Sequence, residues 1–272
     1  MATNSPSLWI DALPATIADS NKYTRGHAVV FGGFPQTGAA RMAARAAARM
    51  GAGLTTIAVS TDALPVYAAA LESVMVKSIS ATNDFEQLIA DQRVTAFLIG
   101  PGAGVSESTR SRVLQLLSTG KPTVLDADAL TVFADDPSAL FNAIKGPCVL
   151  TPHEGEFGRI FDLQGSREVR AAEAAKQSNA IIVLKGSLTV IAAPNNLLIV
   201  NENAPPNLAT AGSGDVLAGM ILGLLAQNMD AMLASAAAVW MHGEAAQNFG
   251  PGLIAEDLPD CLPEVWRNLL AK

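Results

Sequence analysis

Half of the 272 residues are hydrophobic and 16% are charged, against roughly 25% charged in an ordinary soluble protein, so the fold needs a large core and has apolar surface to spare for contact between subunits. At roughly 150 residues per domain the chain has room for one large α/β domain or two smaller ones, and it is far too apolar for disorder. Acidic residues number 25 and basic ones 18, a net charge of −7, which excludes the basic footprint of a binder of nucleic acid or anionic lipid and means that any phosphate is held locally.

After a lead-in containing Ser, Asn and Pro, the apolar run His27–Phe31 is stopped by Gly32-Gly33 and reads as a buried strand entering a loop. Residues 38–50 are dominated by alanine, and Gly51 and Gly53 stop that helix before the β-branched strand Leu54–Val59, which makes one βαβ unit. The alternation continues with a strand at Ala96–Ile99 ending in Gly100-Pro101-Gly102-Ala103-Gly104, a helix at 108–118, and a strand at Thr123–Leu125 ending in Asp126-Ala127-Asp128. It recurs as a strand at Cys148–Leu150 ending in Thr151-Pro152-His153, a helix at 167–177, and a strand at 180–184 ending in Lys185-Gly186. Such an order predicts a mainly parallel sheet covered on both faces. A hairpin, 189–193 and 197–200 about Pro194-Asn195-Asn196, is expected at a sheet edge. Two long apolar helices follow at 214–227 and 230–249.

Residues 1–10 lack the basic and apolar stretches of a secretory leader, and the longest apolar run, 216–226, is too short to cross a bilayer. Cys148 and Cys261 have neither metal-ligand nor disulfide spacing. The expectation is a cytoplasmic protein with one domain over residues 1–272, since no linker, charge run or repeat divides the chain.

Ligands of open parallel sheets bind beyond the carboxyl ends of the strands. The loops there carry Gly32-Gly33, the glycines of 100–104, Asp126, His153, Glu156 and Lys185. The sharpest local pattern is Ala211-Gly212-Ser213-Gly214-Asp215-Val216-Leu217-Ala218-Gly219. Two glycines open an apolar helix with a carboxylate in its first turn, so free amides and the helix dipole can cradle a phosphoryl group that is gaining negative charge. Asp215 can take the proton of an attacking hydroxyl beside that hole. Equally, the glycines can form a plain tight turn with Asp215 only complementing the dipole, worth about 0.3–1 kcal/mol. No GxxxxGK[ST], GxSxG or HExxH occurs, which sets aside P-loop nucleotidases, serine-hydrolase elbows and zincins.

Further blocks accompany this pattern in order: Asn21-Lys22-Tyr23 with Gly26-His27, Thr37-Gly38-Ala39-Ala40, Gly51-Ala52-Gly53-Leu54, Leu125-Asp126-Ala127-Asp128-Ala129-Leu130, Leu150-Thr151-Pro152-His153 with Gly155-Glu156, Leu184-Lys185-Gly186-Ser187, and Gly252-Leu253-Ile254-Ala255 with Asp257-Leu258. Together they make the sequence resemble, over nearly its whole length, the ADP-dependent NAD(P)H-hydrate dehydratase family of the ribokinase-like superfamily. The resemblance implies a ribokinase-like three-layer α/β fold, with a mainly parallel central sheet covered by helices on both faces. It implies ADP-dependent dehydration of the S epimer of hydrated NADH or NADPH, which restores the reduced nicotinamide and releases AMP and phosphate, with magnesium as cofactor. Under it, Asp215 is the base and the amides at Gly212 and Gly214 hold the transferring phosphoryl group. Ala39, Gly102, His153 and Asp215 line the hydrated dinucleotide, and Lys185, Gly186, Ser187, Leu188, Thr189 and Gly214 hold the adenine nucleotide. Glu156 matches the glutamate of the superfamily's Pro-Asn-x-x-Glu pattern and is assigned to magnesium, with His153 where asparagine would stand. Pro205-Pro206 and Leu208 depart from the usual glycine-containing approach and methionine. A homotetramer is implied too, together with an epimerase acting in the same repair pathway on a separate chain, since the epimerase domain fused to many family members has no room in 272 residues.

Other residues have plainer readings. Arg41, Arg45 and Arg49 recur at the spacing of a solvated outer face or a subunit contact. His242 in its apolar helix is expected to be a satisfied core or cap residue, and Cys148 a small core residue. Asp126 and Asp128 can be ligands or loop organisers. Lys185 ends a buried strand beside glycine, which favours a site over a snorkelling surface role. Two functions compete with the dehydratase: a small-alcohol kinase of the same superfamily acting on a vitamin-precursor hydroxymethyl group, and a non-catalytic adenine-nucleotide-binding protein. The second needs amides but no base, so Asp215 argues against it.

Overall fold

The computed structural model describes residues 1–80 and 82–271. Its strands, in chain order, are β1 (Ala2–Thr3), β2 (His27–Phe31), β3 (Leu54–Val59), β4 (Met75–Ser78), β5 (Ala96–Ile99), β6 (Thr123–Leu125), β7 (Cys148–Leu150), β8 (Ile181–Leu184), β9 (Thr189–Ala192) and β10 (Leu198–Asn201). The α-helices are α1 (Gly38–Arg49), α2 (Leu64–Ala70), α3 (Thr82–Ala90), α4 (Glu107–Ser118), α5 (Asp128–Thr131), α6 (Pro137–Ala143), α7 (Glu154–Ile160), α8 (Arg167–Ser178), α9 (Ser213–Ala226), α10 (Ala231–Phe249) and α11 (Leu258–Leu270). One sheet runs β1-β10-β9-β8-β7-β6-β5-β2-β3-β4. β9 is antiparallel to both β8 and β10, and the other pairs are parallel.

The expected alternation is present, with element ends moved by a residue or so. The hairpin of β9 and β10 is not the rim, however. β1 adds a parallel strand beyond it, and Asn4 fastens that segment by donating to Asn201 Oδ1 at 2.9 Å and to the Ala236 carbonyl at 2.8 Å. What reads as a lead-in is therefore part of the sheet.

β2, β5, β6, β7 and β8 are buried along their whole lengths, because helices cover both faces and no strand side is left for water. On one face lie α1, α9, α10 and α11, rich in small residues. α9 is apolar all round and buried from Val216 onward, as a helix enclosed on every side must be. It crosses α1 so closely that a Cβ on Gly219 would collide with the Ala43 carbonyl, so glycine there is a requirement of packing. The other face is filled by larger groups, among them Phe97, Leu125, Phe133 and Phe157. Among the described residues no helix is long and apolar enough to cross a membrane.

Candidate active site

Because β2, β5, β6, β7 and β8 run parallel, their carboxyl ends share one rim of the sheet. α9 begins there. Its N-cap, Gly212, has φ of 93°, a left-handed conformation in which glycine is unstrained, and Met42 of α1 fills the space a side chain would need. Ser213 Oγ donates to the Leu208 carbonyl at 2.8 Å, tying the loop to the helix start. Among the described residues the Gly214 and Asp215 amides find no acceptor, so two donors of the first turn stay open.

These amides border a cleft of about 440 Å³. Lys185, Gly186, Ser187, Thr189 and Gly214, the residues assigned to the adenine nucleotide by resemblance, line it together with Leu217, Val239 and His242. Leu188 differs: its side chain is exposed, and its carbonyl accepts from Arg167 Nη1 at 2.7 Å. Arg167 thereby braces the 185–189 loop, and its other nitrogen reaches Glu154 Oε1 at 2.6 Å. Arg170 and Arg167 together hold the Glu154 carboxyl far down, at about 2. Nothing in sequence reading singled out Arg167 or Glu154.

Lys185 is the hub of the charges. Its Nζ donates to Asp126 Oδ1 at 2.8 Å, stands 3.9 Å from Glu156 Oε2, and lies 3.2 Å from the position a Cβ on Gly214 would take. Burial opposes its charge, but Asp126 and Glu156 outweigh burial and raise its pKa. Asp215 is pushed up to about 6, by burial first and then by the negative charge of Asp126, with Lys185 pulling the other way. A carboxylate poised there is mostly ionised at neutral pH yet basic enough to accept a proton.

The expected dinucleotide residues frame the same rim. Ala39 stands in the first turn of α1, one turn before the Met42 that packs on Gly212. Gly102 lies in the loop after β5, whose backbone meets Gly33 of the loop after β2. Ala39, Gly102, His153 and Asp215 are not among the residues that line the 440 Å³ cleft. His153 is 55% exposed, but its Nδ1 accepts from the Gly155 and Glu156 amides at 2.9 and 3.2 Å, while Glu156 Oε2 accepts from the His153 amide at 2.9 Å. This reciprocal cap starts α7 and fixes the ring proton on Nε2.

Glu156 is thus a capping carboxylate that also faces Lys185. Among the described residues no group of three or more His, Cys, Asp or Glu could cage a metal. Around Asp215, however, Asp126, Glu156 and Asp128 leave Lys185 outnumbered. That surplus of carboxylates fits magnesium arriving with a nucleotide, since this ion usually takes one or two carboxylates plus phosphates and water.

The remaining expectations resolve individually. Asp128 organises a loop, accepting from the Gly104 amide at 2.8 Å, whereas Asp126 is the buried partner of Lys185. His242 is buried as expected and interacts with the Ser213 backbone, though among the described residues its Nε2 has no partner within hydrogen-bond distance, and burial lowers its pKa to about 4. Arg45 and Arg49 find an intramolecular partner, Asp260 of α11, at 2.6 and 3.2 Å. With Arg41 they line a larger, open cleft of about 770 Å³ along α1 that excludes Asp215.

The sequence profile of the family described as NAD(P)H-hydrate dehydratase matches residues 28–262. The ADP-dependent (S)-NAD(P)H-hydrate dehydratase of Bacillus subtilis is 35% identical over 270 residues, 94% of each chain. The bifunctional NAD(P)H-hydrate repair enzyme Nnr of Coxiella burnetii is 35% identical over 257 residues, 90% of this chain and 51% of that protein. The chain spans about half the length of such bifunctional relatives. Among solved structures, the ADP/ATP-dependent NAD(P)H-hydrate dehydratase of Bacillus subtilis co-crystallised with ATP and Mg2+ superimposes with a TM-score of 0.87 at 32% identity, covering 98% of both chains. The three-layer arrangement is the ribokinase-like one.

Proposed function

The chain belongs to the NAD(P)H-hydrate dehydratase family, and on that premise we propose that it dehydrates the S epimer of hydrated NADH or NADPH at the expense of ADP, releasing AMP and phosphate. The observation that carries this reading is the Asp215 carboxylate, raised to about 6, in the same helical turn as two unclaimed amides. Binding phosphate requires the amides alone, whereas moving a proton requires the carboxylate.

Hydroxide is a poor leaving group, and phosphorylation makes the ring hydroxyl a good one. The hydroxyl oxygen attacks the β-phosphorus of ADP while Asp215 accepts its proton, and the bond from that phosphorus to the AMP oxygen breaks. The amides of Gly214 and Asp215, presented by the Gly212 turn, and the Lys185 ammonium meet the charge on the phosphoryl oxygens. AMP remains in the cleft beneath the 185–189 loop. The ring nitrogen then pushes out phosphate as the carbon–oxygen bond breaks, and a proton leaves the neighbouring ring carbon. Ala39, Gly102 and His153 hold the dinucleotide on the opposite side of Asp215. Magnesium bound with the nucleotide supplies neutralisation of phosphate charge, and Glu156 is the carboxylate that would meet it.

In this reading the enzyme is a cytoplasmic homotetramer, and an epimerase carried on another chain supplies the S epimer from the R. Size-exclusion chromatography with light scattering tests the assembly. For the reaction, the protein is incubated with hydrated NADH labelled with heavy oxygen in the ring hydroxyl, ADP and magnesium. Absorbance of reduced nicotinamide should return, with AMP and labelled phosphate in equal amounts. Unlabelled phosphate would mean simple nucleotide hydrolysis, and a stable phosphorylated alcohol would mean a kinase.

A further inference from the structure

The mechanism above uses Lys185 but not the carboxylate that holds it. Asp126 follows β6, is 1% exposed, and is absent from the lining of the nucleotide cleft. Its Oδ1 accepts one of the three Nζ–H groups of Lys185 at 2.8 Å, and Glu156 at 3.9 Å is too distant to take another. Among the described residues, two donors of a cleft-lining ammonium are therefore uncommitted, close beside Gly214. A lysine stem has four rotatable bonds, so an ammonium stays over one amide only if something anchors it. A buried pair of this kind contributes little net stability but breaks at high cost when one partner is removed.

We propose that Asp126 is a positioning residue that acts through Lys185, holding its ammonium beside Gly214 at the start of α9 so that it meets the phosphoryl group in transfer. The proposal rests on the phosphoryl-transfer reading above.

The test compares Asp126→Asn, which keeps an acceptor for Lys185 but not the charge, with Lys185→Met and with the double variant. The double variant removes both members of the pair together, so neither is left buried opposite the other's vacant place, and thermal melts verify folding. Asp126→Asn should lower kcat about 10²-fold, the scale of a small misplacement. It should weaken ADP roughly tenfold by calorimetry while leaving AMP, which lacks the β-phosphate, within about twofold. The double variant should match Lys185→Met rather than multiply the two losses. Equal weakening of ADP and AMP, or multiplicative losses, would each overturn the proposal. Should the parent protein fail to restore reduced nicotinamide, the dehydratase reading falls, and the ADP-against-AMP comparison still decides whether Asp126 sets the β-phosphate contact.

Discussion

The two helical layers that enclose the sheet are built differently. Over one face, α1 and α9 meet through alanine and glycine, and their backbones nearly touch at Gly219 and Ala43. Over the other, Phe133, Phe157 and their neighbours fill the space with large rings, and ion pairs such as Arg167 and Arg170 with Glu154 secure the rim. The first layer carries Asp215 and its amides and the second carries Asp128, His153 and Glu156. Backbone contact leaves no slack, so it suits groups whose function depends on placement to within a fraction of an ångström, as proposed for Asp215 and its amides. Side-chain pairs can be longer and softer, which suits groups that set the surrounding charge.

The largest effect expected from this contrast is at Asp215. Asp215→Asn keeps the helix start and the packing but removes the proton acceptor, and should cost about 2.7–5.5 kcal/mol in the barrier, roughly 10²–10⁴ in rate. AMP affinity, measured by calorimetry, should stay close to that of the parent. A variant retaining more than a tenth of the parent rate under chemistry-limited conditions would move the base out of the small-residue layer. In the parent, turnover should fall as pH drops through about 6, where Asp215 takes up a proton and can no longer accept one from substrate.

Packing gives the next effect. Gly219→Ala inserts a Cβ against the Ala43 carbonyl, and relief requires α9 to move away from α1. Overpacking of this kind costs about 1–3 kcal/mol, and the melting temperature should drop together with kcat because the displaced helix carries the anion hole. Phe133→Leu in the other layer should lower the melting temperature by a similar amount while leaving kcat near the parent value. Equal losses of kcat in both variants would erase the distinction between the layers.

His242 offers a pH test of the same wall. Its pKa is lowered to about 4 in the folded protein, from 6.5 when unfolded, so in acid the unfolded chain binds the extra proton. Its contribution is intact above pH 6.5 and is lost as pH falls toward 4, at up to about 1.4 kcal/mol per pH unit. Asp215 works in the opposite sense: its raised pKa makes the fold gain stability as pH falls from about 6 to 3.8. The difference between parent and His242→Leu isolates the histidine. That variant should lose less stability than the parent between pH 7 and pH 5 in thermal melts, and an identical loss would mean that His242 does not resist protonation.

Legibility in the sequence followed the same division. β2, β3, β5, β6 and β7 were readable to the residue because strands buried on both faces are short apolar or β-branched runs bounded by glycine, proline or aspartate. β4 was missed: it alternates with Lys77 at its centre and covers only the edge. α7 was missed because its start is a histidine cap, and α11 because Pro259 and Pro263 interrupt the usual helical signature. The glycine-aspartate turn of the site is local and showed at once. The Asp126–Lys185 pair joins residues 59 positions apart, and a single sequence carries no sign of which distant charges meet.

The smallest effect expected is at the arginine stripe of α1, where spacing alone suggested solvent or a neighbouring subunit. Arg45 and Arg49 do lie on a solvated face, about half exposed, and there share the equally exposed Asp260 carboxylate. Exposed pairs are screened by water and typically worth 0.2–1 kcal/mol. Two arginines also compete for one carboxylate, so losing either leaves the other to take its place. Arg45→Ala should therefore shift the chemical-denaturation midpoint by the equivalent of less than about 0.5 kcal/mol, with an unchanged slope. The same variant reports on assembly if its sedimentation is followed with dilution. Dissociation at a concentration where the parent stays associated would make the stripe a subunit contact as well, and the link from α1 to α11 would then extend between copies. An unchanged sedimentation profile beside the small stability loss would confine the stripe to bracing α11 against the helix that packs on the anion hole.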